Sequence, residues 1–233
     1  MSGILEAQHL RKTFRGGDDR LLDVLVDVSL AVHRSEVLAV VGASGAGKST
    51  LLHLLGALDT PTSGEVILDG RRYDRMTDAE LDGLRNARLG FVFQFHHLLR
   101  DFSALENVAM PLLIRGVAED EAASRAEELL ARVGLAGRMS HRPAQLSGGE
   151  QQRCAVARAV VTDPVVLLAD EPSGNLDERH SAELHDLLFA LARDLETAMI
   201  IVTHNRQLAD RADRTLRLAN GRLHPEHATG ALS

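Results

Sequence analysis

Gly42-Ala43-Ser44-Gly45-Ala46-Gly47-Lys48-Ser49 follows the pattern G-x-x-x-x-G-K-[ST], whose glycines let consecutive backbone N–H groups turn inward around phosphate oxygens. A helix starting directly after such a loop adds its positive dipole end to the same site. Lys48 can then reach the β- and γ-phosphates of a nucleotide, and the Ser49 hydroxyl can ligate Mg²⁺. Farther along, Val165-Val166-Leu167-Leu168-Ala169 is an apolar run that ends on two carboxylates, Asp170 and Glu171. Ligands of open α/β sheets bind at such strand ends. Asp170 is placed to hold Mg²⁺ through its water shell, and Glu171 to orient an attacking water as general base. An acidic pair after a strand is weak evidence by itself; behind a phosphate loop it gains weight.

A third stretch, Leu146-Ser147-Gly148-Gly149-Glu150-Gln151-Gln152-Arg153, reads as a helix start with two glycines baring backbone N–H groups. Its residues alone leave two readings open, a second anion site or an ordinary capped helix.

The elements that must position these residues are legible in outline. Alternating apolar residues predict strands over Ile4–Leu10 and Val24–Val32, with Gly16-Gly17-Asp18-Asp19 as a turn between them. Val37–Val41 is a near-continuous apolar run suited to a strand buried on both faces. A helix is expected over Ser49–Leu58, a turn at Pro61–Gly64, a strand over Glu65–Leu68 and a hairpin turn at Asp69-Gly70. Thr77 with Glu80, Ser103 with Glu106 and Ser147 with Glu150 have capping-box spacing. Leu89–Phe93, Val165–Ala169, Ala198–Thr203 and Arg214–Leu218 predict further strands. Glu119–Val133 and Glu178–Leu195 predict helices, Gly134 being a plausible stop for the first. Strand and helix alternate at both ends, which implies an α/β core with a largely parallel sheet. The expected organisation is one domain over 1–233: an α/β core from 1–94 and 162–223, a helical block at 95–161 and a loose tail at 224–233.

Composition narrows the function classes. The 233 residues are 45% hydrophobic and 25% charged, ordinary for a globular protein and too apolar for a disordered one. The balance of 26 basic against 33 acidic residues, −7, argues against a nucleic-acid binder driven by bulk charge. No apolar run is long enough to span a bilayer. Met1–Glu6 lacks the basic head and apolar run of an export signal. A lone cysteine, Cys154, rules out an internal disulfide framework and fits a reducing cytosol.

The octapeptide at 146–153 resembles the signature motif of the ATP-binding cassette (ABC) ATPases, and the rest of that family's set follows in order. Gln94, after the strand Leu89–Phe93, looks like the Q-loop glutamine. Ser173-Gly174-Asn175-Leu176-Asp177 looks like the D-loop, and His204, after Ile200–Thr203, like the switch histidine. Phe14 sits where the family places an aromatic that stacks on adenine. The resemblance runs from about residue 4 to 223. It implies a P-loop NTPase of the ABC type, with a mixed sheet core, an antiparallel β subdomain and an inserted α-helical subdomain. It also implies a Mg²⁺-dependent ATPase acting as two copies of the chain. Gly42, Ser44, Gly45, Gly47, Lys48, Ser49, Thr50 and Phe14 of one copy would bind ATP together with Ser147, Gly148, Gly149 and Asp177 of the other. Ser49, Gln94 and Asp170 are the implied metal ligands. Glu171, His204 and Gln94 are the implied catalytic set.

Phe93-Gln94-Phe95-His96-His97-Leu98-Leu99, with Asp101–Leu113 after it, is similar to the branch of the family that holds lipoprotein-releasing, macrolide-exporting and cell-division cassettes, and most to lipoprotein release. The expected partners are a second copy and integral membrane permease subunits, with no nucleic acid. The expected place is the cytoplasmic face of an inner membrane, and a cell-division or efflux ATPase is the alternative. His97 and Leu98 are docking candidates. His96 and His97 lack the accompanying ligands of a metal site. Four departures stand out from the family pattern: Arg100 for proline, Arg34-Ser35 where glycine usually precedes the position of Glu36, Asn205 for aspartate and Ser173 for threonine.

Overall fold

The computed structural model describes residues 3–17 and 20–226. Chain order runs β1 (Leu5–Arg15), β2 (Leu21–Val32), β3 (Val37–Val41), α1 (Lys48–Leu55), β4 (Ser63–Leu68), β5 (Arg71–Arg72), α2 (Asp78–Arg88), β6 (Leu89–Phe93), α3 (Ala104–Ile114), α4 (Glu119–Arg132), α5 (Gly148–Val160), β7 (Val166–Asp170), α6 (Glu178–Asp194), β8 (Ala198–Thr203), α7 (Arg206–Ala209), β9 (Arg214–Ala219) and β10 (Arg222–Pro225). The chain divides into two compact units, 1–81 with 198–233, and 82–197.

In the first unit the strand order is β5-β4-β1-β2-β10-β9-β3-β8. β1 pairs antiparallel with β2 and β4, whereas β3 pairs parallel with β8 and β9. β10 joins the two parts, antiparallel to β9 and parallel to β2. The sheet is therefore mixed, as the family resemblance implies, rather than largely parallel as the order of elements alone suggests. β3 is buried from Val37 to Val40, which explains why it reads as an unbroken apolar run rather than an alternating one. Leu51, Leu52, Leu54 and Leu55 on α1 are fully buried. The β4–β5 hairpin turns through Asp69 and Gly70 with φ of 50° and 75°, the left-handed pair a two-residue hairpin requires.

In the second unit β6 and β7 run parallel, from Leu89 opposite Val166 to Phe93 opposite Asp170. Helices α3 to α6 supply the rest, with Leu112, Leu130, Cys154, Val156 and Leu188 among the fully buried side chains. The capping boxes of α3 and α5 form as their spacing predicts, Ser103 with Glu106 and Ser147 with Glu150. Asn107 on α3 is fully buried. It accepts from Leu99 N–H (2.7 Å) and donates to the carbonyls of Leu99, Phe102 and Ser103 (3.1, 3.1 and 2.9 Å). One amide thus replaces the backbone bonds that the irregular 99–103 segment cannot make for itself.

Two expectations need correction. α1 begins at Lys48 and stops at Leu55, because Gly56 closes it and Ala57 turns left-handed (φ 53°). His224 and Pro225 are not a loose tail but the end of β10, where His224 pairs with Arg217 and Pro225 with Leu216. Proline is tolerated at that strand's end. Asp18, Asp19 and the tail from 227 lie outside the described residues.

Candidate active site

The glycine-rich loop joins β3 to α1 in the first unit. Gly45 and Gly47 have φ of 78° and 97°. A Cβ on Gly47 would come within 2.8 Å of Val24 Cγ1 and 3.2 Å of Leu25 Cδ2, so both space and backbone conformation demand glycine there. No side chain caps α1 and no acidic residue stands in its first turn. Lys48 is buried, and its ammonium donates to the carbonyls of Gly42 (3.0 Å) and Ala43 (3.1 Å). A helix start without a side-chain cap, behind a loop that folds a lysine back onto itself, fits the phosphates of a nucleotide. Ser44, Gly45 and Ser49 are exposed and Thr50 is half-buried.

His204 reaches the same loop through strand register. Val41 lies opposite Thr203, so Gly42 and His204 leave neighbouring strands together. Both line one cleft of about 1090 Å³, with Ser44, Gly45 and Ala46. Asn205 then caps α7, its Oδ1 accepting from Leu208 N–H at 3.1 Å, a role that aspartate and asparagine fill equally well. Phe14 lies near the end of β1, opposite Leu22, with 41% of its surface exposed. The Lys12 ammonium sits 5.0 Å from its ring centroid.

In the second unit Phe93 and Asp170 are register partners. Gln94 and Glu171, one residue later, therefore leave the same edge of the sheet. Asn175 Nδ2 donates to Gln94 O (3.0 Å), and Gln94 Nε2 donates to Asn175 Oδ1 (3.3 Å). Asp170 and Glu171 are half-buried, and Glu171 has a left-handed φ of 44°. Asp177 caps α6 by accepting from His180 N–H (2.9 Å). That bond and the His180 imidazole (2.7 Å) hold its carboxyl below the usual carboxylate range. At α5, Ser147 Oγ accepts from Glu150 N–H (3.3 Å), and Glu150 Oε2 accepts from Ser147 N–H (2.8 Å). That backbone donor, with the Arg138 guanidinium at 2.9 Å, brings the Glu150 carboxyl down to about 2. Ser147 and Gly148 are exposed at this helix start. The donors named for a cation, Ser49, Gln94 and Asp170, are all oxygen ligands of the type Mg²⁺ takes. Among the described residues no cluster of three His, Cys, Asp or Glu side chains stands ready for another metal.

Several residues that shape this region carry no local sequence signal. Gln152 Nε2 donates to Phe93 O (2.9 Å). Arg158 donates to the carbonyls of His96 (2.7 Å) and His97 (2.9 Å). Polar residues on the buried face of an otherwise apolar helix were the available hint. Leu98, a docking candidate in the sequence, is buried. Left-handed His97 (φ 46°) breaks the alternation, turning Leu98 inward and leaving Phe95 and Leu99 63% and 42% exposed. The His97 ring packs edge-on against Phe93, centroids 5.5 Å apart. Cys154 is buried, which pushes its thiol up to about 11.

Known proteins match along the same lines. Residues 25–174 match the ABC transporter family. The chain is 54% identical over 225 residues to the lipoprotein-releasing system ATP-binding protein LolD of Bordetella avium (strain 197N), covering 97% of each. It is 54% identical over 223 residues to the LolD protein of Geobacter metallireducens (strain ATCC 53774 / DSM 7210 / GS-15), covering 96% of this chain and 99% of that one. Among solved structures, the ATP-binding cassette MJ0796, a dimer in a post-hydrolysis state bound to ADP and Pi, superposes with a TM-score of 0.88 at 34% identity. That match covers 98% of this chain and all of the other.

Proposed function

The chain belongs to the ABC transporter family as an ATP-hydrolysing subunit, and we propose that its hydrolysis drives release of lipoproteins from an inner membrane, through permease subunits of the LolC/LolE kind. The observation that carries this reading is the end-to-end identity with proteins named for lipoprotein release. The proposal puts the chain at the cytoplasmic face of that membrane as a peripheral subunit; no helix among the described residues is long and apolar enough to cross it.

In this reading the backbone of Gly42 to Lys48 holds the phosphates, with Lys48 on the β- and γ-groups and Ser49 and Thr50 closing the loop. Phe14 stacks on the base. Ser49, Gln94 and Asp170 would hold Mg²⁺, which when bound neutralises charge developing on the phosphate oxygens. Glu171 accepts a proton from the attacking water and orients it. His204, leaving β8 beside the phosphate loop, donates toward the γ-phosphate oxygens. Ser147, Gly148 and Gly149 present a helix start to the nucleotide of a second copy, and Asp177 contributes from its loop. Phe95, Leu99 and Phe102, 63%, 42% and 38% exposed, are the apolar side chains a permease segment would cover.

Glu171→Gln tests the reading. It removes the proton acceptor and keeps the shape, so turnover should fall at least about 100-fold. ATP should still bind, and size-exclusion chromatography should show a nucleotide-dependent dimer. Undiminished turnover would remove Glu171 from the role of base. Reconstitution with permeases tests the cargo: lipoprotein should leave proteoliposomes only with the hydrolysis-competent chain, and release by the Glu171→Gln complex would overturn the coupling.

A further inference from the structure

Ser173, two residues beyond Glu171, is buried, and its hydroxyl meets His185 Nε2 at 2.8 Å. His185 is itself 4% exposed, on the face of α6 that also buries Leu184, Leu188 and Phe189. A histidine there gives up apolar packing for polar contacts, and the bond to the Ser173 hydroxyl is the one that reaches the segment after Glu171. The segment it grips is under constraint. Glu171 keeps a φ of 44°, a left-handed backbone that a side-chain-bearing residue holds only where its surroundings over-determine it. Gly174 N–H closes a turn onto Glu171 O at 2.9 Å, and Leu176 N–H donates to Ser173 O at 3.0 Å. Ser173 is thus shared by two consecutive turns, and its side chain fastens both to α6. On the outer side Asn175 is tied to Gln94.

We propose that His185 is a positioning residue for hydrolysis. Through Ser173 it holds the turn that keeps Glu171 left-handed, and with it the direction of the Glu171 carboxylate. The inference rests on Glu171 acting as the base. Without the imidazole, the Ser173 hydroxyl loses a buried partner, the turn loosens and Glu171 relaxes toward negative φ. Small displacements of a catalytic group are costly in rate, whereas the phosphate loop, on the other unit, is untouched.

The test compares His185→Phe, which keeps ring volume and removes the nitrogen, with His185→Gln, whose amide can again meet the Ser173 hydroxyl. His185→Phe should lower kcat about tenfold with the ATP Kd within twofold of the parent. His185→Gln should recover most of that loss. Ser173→Ala should reproduce it from the other side, and the double variant Ser173→Ala/His185→Phe should be no slower than either single one. Should His185→Phe fail to fold, the Ser173→Ala kcat and Kd carry the test. A lowered melting temperature with kcat unchanged would overturn the proposal, as would a glutamine that restores melting temperature but not kcat. Failure of the base assignment shows separately, as normal turnover in Glu171→Gln.

Discussion

The molecule has two helix starts that the family turns toward phosphate, and they are built in opposite ways. α1 follows left-handed Gly47, has no side-chain cap and carries no acid in its first turn. α5 follows Ser147, has a complete capping box and carries Glu150 in its first turn. A helix start must satisfy its first N–H groups with something. At α1 that partner is left to a ligand; at α5 the chain's own side chains provide part of it. In the proposed reading α1 is a receptor completed by nucleotide, whereas α5 is capped in advance by its own side chains. On that proposal the subunit would hold ATP at the first and present the second to another copy.

Breaking the receptor should have the largest effect. Lys48→Ala removes the cation from the loop and should weaken ATP binding about 100-fold, the scale of a lost charge-assisted contact, by calorimetric titration. Gly47→Ala forces a side chain into left-handed backbone, at about 1–2 kcal/mol, and into Val24 besides. It should lose both melting temperature and nucleotide binding. Retained binding in either variant would remove the distinction drawn for α1.

The preformed end should tolerate more. A Cβ on Gly149 would lie 3.4 Å from His180 Cδ2, near ordinary contact, and its φ is not left-handed. Gly149→Ala should therefore fold and bind ATP normally while turning over about tenfold more slowly, because in the proposed dimer its methyl would stand where a partner's phosphate approaches the backbone. An equal loss of ATP affinity would erase the contrast with Gly47. Ser147→Ala removes only the cap and should cost about 1 kcal/mol of stability by urea unfolding; no change would mean that the box contributes nothing to α5.

What the sequence made legible follows the same division. The phosphate loop and the capping boxes are local patterns whose physics is contained in a few consecutive residues; the acidic pair and the signature segment took their meaning from the loop and from the family resemblance. Strand runs and their order with the helices made the α/β class legible; the mixed sheet was implied by the family resemblance, since the pattern itself suggested a largely parallel one. What escaped depends on neighbours remote in the chain. The Asn107 amide serves a loop up to eight residues away, Arg158 holds carbonyls about 60 residues distant, and Ser173 meets His185 only because α6 folds back over it. Leu98 faces inward because one left-handed residue, His97, reverses which side chains face outward, and no periodicity announces such a residue. Ser35, standing where the family usually has glycine, is left-handed too (φ 59°). It is kept there by a turn in which Glu36 N–H donates to His33 O (3.1 Å) and Glu36 Oε2 accepts from His33 N–H (2.8 Å).

The finest distinction between the two helix starts is their response to acid. The Glu150 carboxyl is held down to about 2 by the Ser147 N–H and by Arg138, against an ordinary value of 4.5. A carboxyl with a depressed folded-state value binds its proton more readily in the unfolded chain, so stability rises with pH between the two values. The capping-box contribution is therefore fully present above about pH 4.5 and is lost as pH falls toward 2. Glu150→Gln keeps the reach of the box and removes the titration. The difference in unfolding free energy between the wild type and Glu150→Gln should be constant above about pH 4.5 and shrink steadily below it. α1 has no first-turn acid to titrate, so the amides at its start should show no matching step in hydrogen exchange attributable to a capping carboxylate. A pH-independent difference between wild type and Glu150→Gln from pH 5 to 2 would mean that the α5 box is geometry without electrostatics, and would reduce the contrast between the two helix starts to the glycine and the serine that precede them.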